Sequence, residues 1–115
     1  MSILGILKTI IEELGIPVET GAFSGDIPTA YVVLTPLADS YELFSDNKPQ
    51  AESEEVRVSL FNYGNYIETK NKICQAILDA ELIITNRLYI GFDKETGYHN
   101  YAIDVAAITT KEEIE

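Results

Sequence analysis

Apolar and polar positions alternate along this chain with two different periods, and the change of period marks its elements. Ile3, Leu7, Ile10 and Leu14 recur at helical spacing, with Leu4 and Ile11 beside them, while Lys8, Glu12 and Glu13 face away. This stripe predicts a helix over residues 3–14. Ser2 can cap its start, and Gly15 can supply the left-handed residue that ends it. Ile16 should then fold back on Ile11, and Pro17 prevents continuation. The stripe is wide enough to suit an oligomer surface, but packing on a sheet is the simpler expectation.

The next third is less regular. Gly21, Gly25 and Pro28 make residues 18–28 a loop or an irregular edge. Ala30, Tyr31, Val32, Val33 and Leu34 suit a short buried strand over 29–35, which Pro36 either ends or leaves at an edge. Tyr41 to Phe44 predicts a brief strand. Ser45 to Glu55 holds almost nothing apolar and reads as a mobile loop or a long hairpin arm, with residues 46–54 its centre.

Period two returns at Val56, Val58 and Leu60, which alternate with Arg57, Ser59 and Phe61 as in a half-buried strand. Asn65 and Glu68 stand three apart in a capping-box pattern. Behind them Tyr66, Lys70, Ile73 and Ile77, with Ile67, Cys74 and Leu78, draw the stripe of a helix over 66–79. Leu82, Ile84, Leu88, Ile90 and Phe92 then share one face of a strand, with Asn86 breaking the set. Tyr101, Ile103, Val105 and Ala107 share a face of the next strand, and Asp93 to Gly97 make the hairpin loop between them. The acidic tail after Thr109 should fray. The order α-β-β-β-α-β-β argues for an α+β domain: a mostly antiparallel sheet of four to five strands with two helices on one face.

Composition narrows the function classes. A chain of 115 residues makes one domain, and 46% apolar residues exclude a disordered polyelectrolyte. Apolar runs fall far short of the roughly 20 residues that span a bilayer. The first 15 residues carry Lys8, Glu12 and Glu13 at helical spacing rather than a basic leader and cleavage site, so a soluble, cytoplasmic protein is expected. Nineteen acidic residues against eight basic ones give a formal charge of −11, which repels duplex phosphate and anionic lipid and argues against a groove-reading DNA binder. The same charge favours solubility. The single Cys74 can form no internal disulfide and reads as a small buried hydrophobe.

No catalytic signature emerges. His99 is the only histidine and lacks the companions that a zinc or catalytic site needs, so a half-exposed strand residue is expected. Asp39, Glu42 and Asp46 lack the alternation, central Gly and terminal Glu of a calcium loop. Gly21 and Gly25 are followed by no Gly-Lys-Ser/Thr, so no phosphate loop forms. Asp104 lies opposite Ile103 and Val105 by alternation, which makes an exposed position the simplest expectation, a paired carboxylate the alternative. No enzyme activity, metal or cofactor is expected. Seven tyrosines and no tryptophan suit strands and interfaces alike, and Tyr41 and Tyr98, flanking the loops, are the first candidates for contacts with other subunits.

From Val56 to Ile108 the chain resembles the tail-terminator and tail-completion proteins of long-tailed bacteriophages and prophages. The residues that carry the resemblance are Val56-Arg57-Val58-Ser59-Leu60-Phe61, then Asn65-Tyr66 opening the helix that ends Ile73-Cys74-Gln75-Ala76-Ile77-Leu78. Leu82 to Phe92 and Thr96-Gly97-Tyr98-His99-Asn100-Tyr101-Ala102-Ile103 complete it, and the first helix and early strand fit the same layout. These are diffuse hydrophobic patterns shared with other head–tail joining proteins. The resemblance implies a structural protein that forms a sixfold ring on the head-proximal end of the tail tube. Such a ring stops tube growth and presents a surface to the head connector. Its partners would be further copies of itself, the tail-tube protein and the connector, with DNA passing through the pore unbound. It would be assembled in the bacterial cytoplasm and end in the virion, with no membrane partner. On this reading the 45–55 arm and the 93–97 turn are candidates for contacts, which marks Tyr41, Asp46, Glu52, Glu54, Glu55 and Tyr98 as the subunit-interface set. The alternative is an acidic binding module, such as a DNA mimic that inhibits a nucleic-acid enzyme.

Overall fold

The computed structural model describes residues 2–20, 29–45 and 48–110; of these, residues 20, 38–45, 48–52 and 108–110 are described by their backbone alone. The elements are α1 (Ile3–Glu12), β1 (Val18–Thr20), β2 (Ala30–Ser45), β3 (Lys48–Tyr63), α2 (Tyr66–Asp79), β4 (Ile83–Phe92) and β5 (Tyr98–Thr110). The five strands form one sheet in the order β1-β2-β3-β5-β4. Every neighbouring pair is antiparallel except β1 with β2. This is the α+β class that the patterns predict, in the predicted order of elements.

The membership of the first three strands differs from the sequence reading. Val18–Thr20, in the stretch read as loop or edge, is a strand parallel to Val32–Leu34. The two short strands expected on either side of Pro36 are one, β2, which passes Pro36 through a register shift before Ala38. Pro36 is tolerated because β1 pairs only with Val32 to Leu34, so no described strand needs its missing N–H. Residues 48–55, the polar half of the expected arm, continue β3: they ladder with β2 on one side, and from Ala51 onward with β5 on the other. Sixteen residues in each of β2 and β3, at about 3.3 Å per residue, span roughly 53 Å. That length sets the long dimension of a molecule measuring 54 × 24 × 24 Å.

The helices are stopped and started as the sequence dictates. Ser2 Oγ accepts the Gly5 N–H, and Gly15 takes φ +82° just past α1. Asn65 Oδ1 accepts the Ile67 N–H, while Glu68 reaches forward to Lys72 rather than back to the cap. Asn62, buried at the end of β3, donates through Nδ2 to the carbonyls of Tyr63 and Asn65 and so ties the strand to the helix it leads into.

Both helices bury one stripe against one face of the sheet. Ile3, Leu7 and Ile11 of α1 and Ile73, Cys74 and Ile77 of α2 meet Val32, Leu34, Val56, Val58, Leu60, Ile103 and Val105. Ile16 folds into the same core. Leu14, Ile67 and Leu78, expected within the helical stripes, are exposed instead. Leu14 lies beyond the last turn of α1, and Ile67 and Leu78 flank the buried line of α2. In β4 the single apolar face does not survive. Register shifts between Ile84 and Asn86 and between Tyr89 and Gly91 each turn the strand over. No helix among the described residues is long and apolar enough to cross a membrane.

Candidate functional site: an open sheet face with an aromatic cleft

Alternation sends the intervening residues to the face that the helices leave open. There the register aligns three rows across the sheet. One runs Tyr31, Phe61, Asn100 and Gly91; the next Val33, Ser59, Ala102 and Leu88; the third Thr35, Arg57, Asp104 and Asn86. In the middle row the small Ser59 and Ala102 lie between the branched Val33 and Leu88. Ala102 is fully buried within it although no described helix covers this face.

The third row corrects the expectation for Asp104. Its side chain is buried, and it faces Arg57 directly across β3 and β5. Arg57 donates to it in bidentate fashion, Nε to Oδ1 at 2.8 Å and Nη2 to Oδ2 at 3.1 Å. Hydrogen bonds from the guanidinium to Asp104, reinforced by its charge, raise the Arg57 pKa above its ordinary value.

The first row ends in a cleft of about 380 Å³. The Tyr31 and Phe61 rings stack with centroids 4.9 Å apart and planes 13° from parallel. Tyr98 meets Tyr31 edge-on at 5.5 Å, and Tyr63 leans on Tyr98 at 6.2 Å. Asn100 and Gly91 continue the row, and a Cβ built on Gly91 would meet nothing within 4 Å. The cleft therefore exists because a row that begins with two rings ends with no side chain at all. Asn100 Oδ1 lies sealed from solvent in this wall without a hydrogen-bond partner. Asp93 stands at the mouth, its Oδ1 fixed by the Glu95 N–H at 2.9 Å. Burial, then the nearby Tyr98, raises the Tyr31 pKa above 10.0.

His99 points to the other face, as its register with Asn62 and Phe92 requires. It packs against Phe92 at 4.8 Å and Tyr66 at 5.2 Å, and its Nδ1 shares a hydrogen bond with the Tyr89 hydroxyl at 2.9 Å. Lys70 Nζ lies 5.2 Å from the ring centre of Tyr101, which stacks on Tyr66. Among the described residues, no group of three or more His, Cys, Asp or Glu side chains could hold a metal ion.

The two long borders of the sheet differ. β4 forms one border, with Ile83, Leu88, Tyr89, Ile90 and Phe92 exposed. At the other border, β2 from Thr35 to Ser45 has no described strand beyond it. Of the residues expected at subunit contacts, Tyr41 stands opposite Glu52 and Asp39 opposite Glu54 in the β2–β3 ladder. Glu54 and Glu55 are half-buried on β3, where it runs between β2 and β5. Tyr98 is a wall of the cleft, at the far end of the sheet from those positions. Asp46 lies outside the described residues. Tyr31, Phe61, Gly91 and Asn100 were not singled out by sequence; the signal available was two rings out of phase with Val32 and Leu60. No known family model matches the chain, and no curated protein is significantly similar to it.

Proposed function

We propose that this chain is a ring-forming structural subunit of phage or prophage tails. It would end growth of the tail tube at its head-proximal end and join tail to head. The observation that carries this reading is one sheet with two unlike borders, each without a further strand among the described residues: the apolar β4 edge and the long β2 edge of the arm. Open strand edges are templates for pairing with another chain. Contact between unlike edges of successive copies is heterologous, and a fixed rotation per copy closes such contacts into a ring. The formal charge of −11 keeps free subunits apart until a template gathers them, and an acidic lumen would let DNA slide past. The resemblance in Val56 to Ile108 supports the same reading. A DNA mimic would need its acids in duplex-like rows. The described acids instead are scattered over both helices, β1, β2, the β3 arm, the 93–97 turn and β5.

Native mass spectrometry over a concentration series, with negative-stain imaging of the protein alone and mixed with purified tail tubes, tests the proposal. A hexamer with a central hole, or caps on tube ends, is the expected result. A chain that stays monomeric and leaves tube ends bare would overturn it. Tight, salt-sensitive binding to a basic nucleic-acid enzyme would favour the mimic instead.

A further inference from the structure

The two helices end side by side, and an apolar groove opens where they do. Ile10, Glu13 and Leu14, from the last turn of α1 and just past it, form one wall. Ala76, Asp79 and Ala80, from the last turn and cap of α2, form the other. The space between them is about 410 Å³. Four of the six lining residues are apolar, with Leu14 open to solvent, and the exposed Glu13 and Asp79 stand among them. A helix C-terminus carries partial negative charge and favours Lys, Arg or His in its last turn. Neither helix has one there. Carboxylates take the place instead: Glu12 and Glu13 on α1, Asp79 on α2, with Glu81 just beyond. Among the described residues no cation pairs with any of the four. Gln75 Nε2 donates to Asp79 Oδ1 at 2.9 Å, which leaves Oδ2 to accept from elsewhere.

We propose that this groove receives an amphipathic helix of a partner protein, its apolar stripe on the groove and lysines or arginines along its margins. Charge selects the occupant. Two helix C-termini and the carboxylates beside them attract a basic segment and disfavour a second copy of a chain that carries −11. A lone metal ion would leave Ile10 and Leu14 wet, whereas an apolar stripe covers them. The walls are helices, so no strand edge is offered to an extended peptide. A helix satisfies its own backbone and packs its ridges between theirs. The assignment stands whether or not the chain forms a ring, since it rests on α1 and α2 of one copy.

The probe is an acetylated, amidated peptide of about 14 residues, long enough to form a helix, with a leucine stripe bordered by lysines. A scrambled peptide of the same composition controls for charge alone. Each is titrated into the isotope-labelled full chain and followed by NMR. Saturable shifts at Leu14, Ala76 and Ala80 are expected, with the striped peptide bound at least about tenfold more tightly than the scrambled one. Glu13→Gln/Asp79→Asn should weaken that binding about tenfold, and the asparagine keeps an oxygen for Gln75. Glu68→Gln/Glu95→Gln removes the same charge from exposed positions outside the groove and should change binding less than about twofold. Leu14→Ser, at an exposed site, should leave the spectrum native elsewhere and weaken binding as well. No saturable shift, equal binding of the two peptides, equal losses in the two double variants, or shifts centred on β4 would each overturn the proposal.

Discussion

Arg57 and Asp104 face each other across β3 and β5 and share two hydrogen bonds on the sheet face away from the helices. The pair is unequal: the Asp104 side chain is 7% exposed, that of Arg57 36%. Removing the guanidinium strands a buried carboxylate, whereas removing the carboxylate leaves a cation that can swing into water. Arg57→Met should therefore destabilise more than Asp104→Asn, by about 2–3 kcal/mol for the arginine change, less than for a wholly buried pair because Arg57 is partly solvated. Urea denaturation of both variants measures the order. The double variant Arg57→Met/Asp104→Leu should recover most of the loss.

The arm can be shortened without disturbing the ladder because its register is known. Tyr41 pairs with Glu52, so replacing residues 42–51 by Asn-Gly leaves a two-residue hairpin between partners already opposed. Stability should change by less than about 1 kcal/mol, while ring formation or tube capping falls. Normal assembly by the shortened chain would remove the arm from the proposed function.

Asn62→Ala should cost about 1–3 kcal/mol, since it strips one side chain of two hydrogen bonds and leaves the Tyr63 and Asn65 carbonyls short of a donor. The loss should concentrate at the start of α2. Hydrogen exchange should show faster opening at Ile67 and Glu68 than at Ile103, deep in β5.

Tyr31 makes stability fall at high pH. Burial holds its folded-state pKa above the ordinary 10.0, so the folded chain keeps the phenolic proton longer than the unfolded chain does. That contribution is complete below pH 10 and is lost as pH rises through the folded value. Between pH 9 and pH 11 the native chain should lose more stability than Tyr31→Phe, which has no proton to release. Equal losses would mean that Tyr31 titrates no differently in the two states.

Local signals carried the helices well. Asn65 as cap and the apolar period behind it placed α2 at residues 66–79, because a helix satisfies its backbone within its own sequence. The strands depend on partners far along the chain, and there local composition misled. Lys48 to Glu55 look like loop residues, yet β2 and then β5 supply their ladder. Asn86 marked a break in β4, but not that two register shifts would turn the strand over. The cleft was harder still. Tyr31, Phe61, Asn100 and Gly91 come from four strands, and only the register of the finished sheet brings them into one row.

That β5 lies between β3 and β4 sets an order of events during synthesis. The β2–β3 hairpin can close as soon as it leaves the ribosome, since its partners are near neighbours in sequence. β4 emerges with no strand to join, and the backbone groups that later ladder with β5 stay unpaired until β5 arrives. The nascent chain is most prone to clump in that interval, when a strand with unpaired edges has been made and the strand that ladders with it has not.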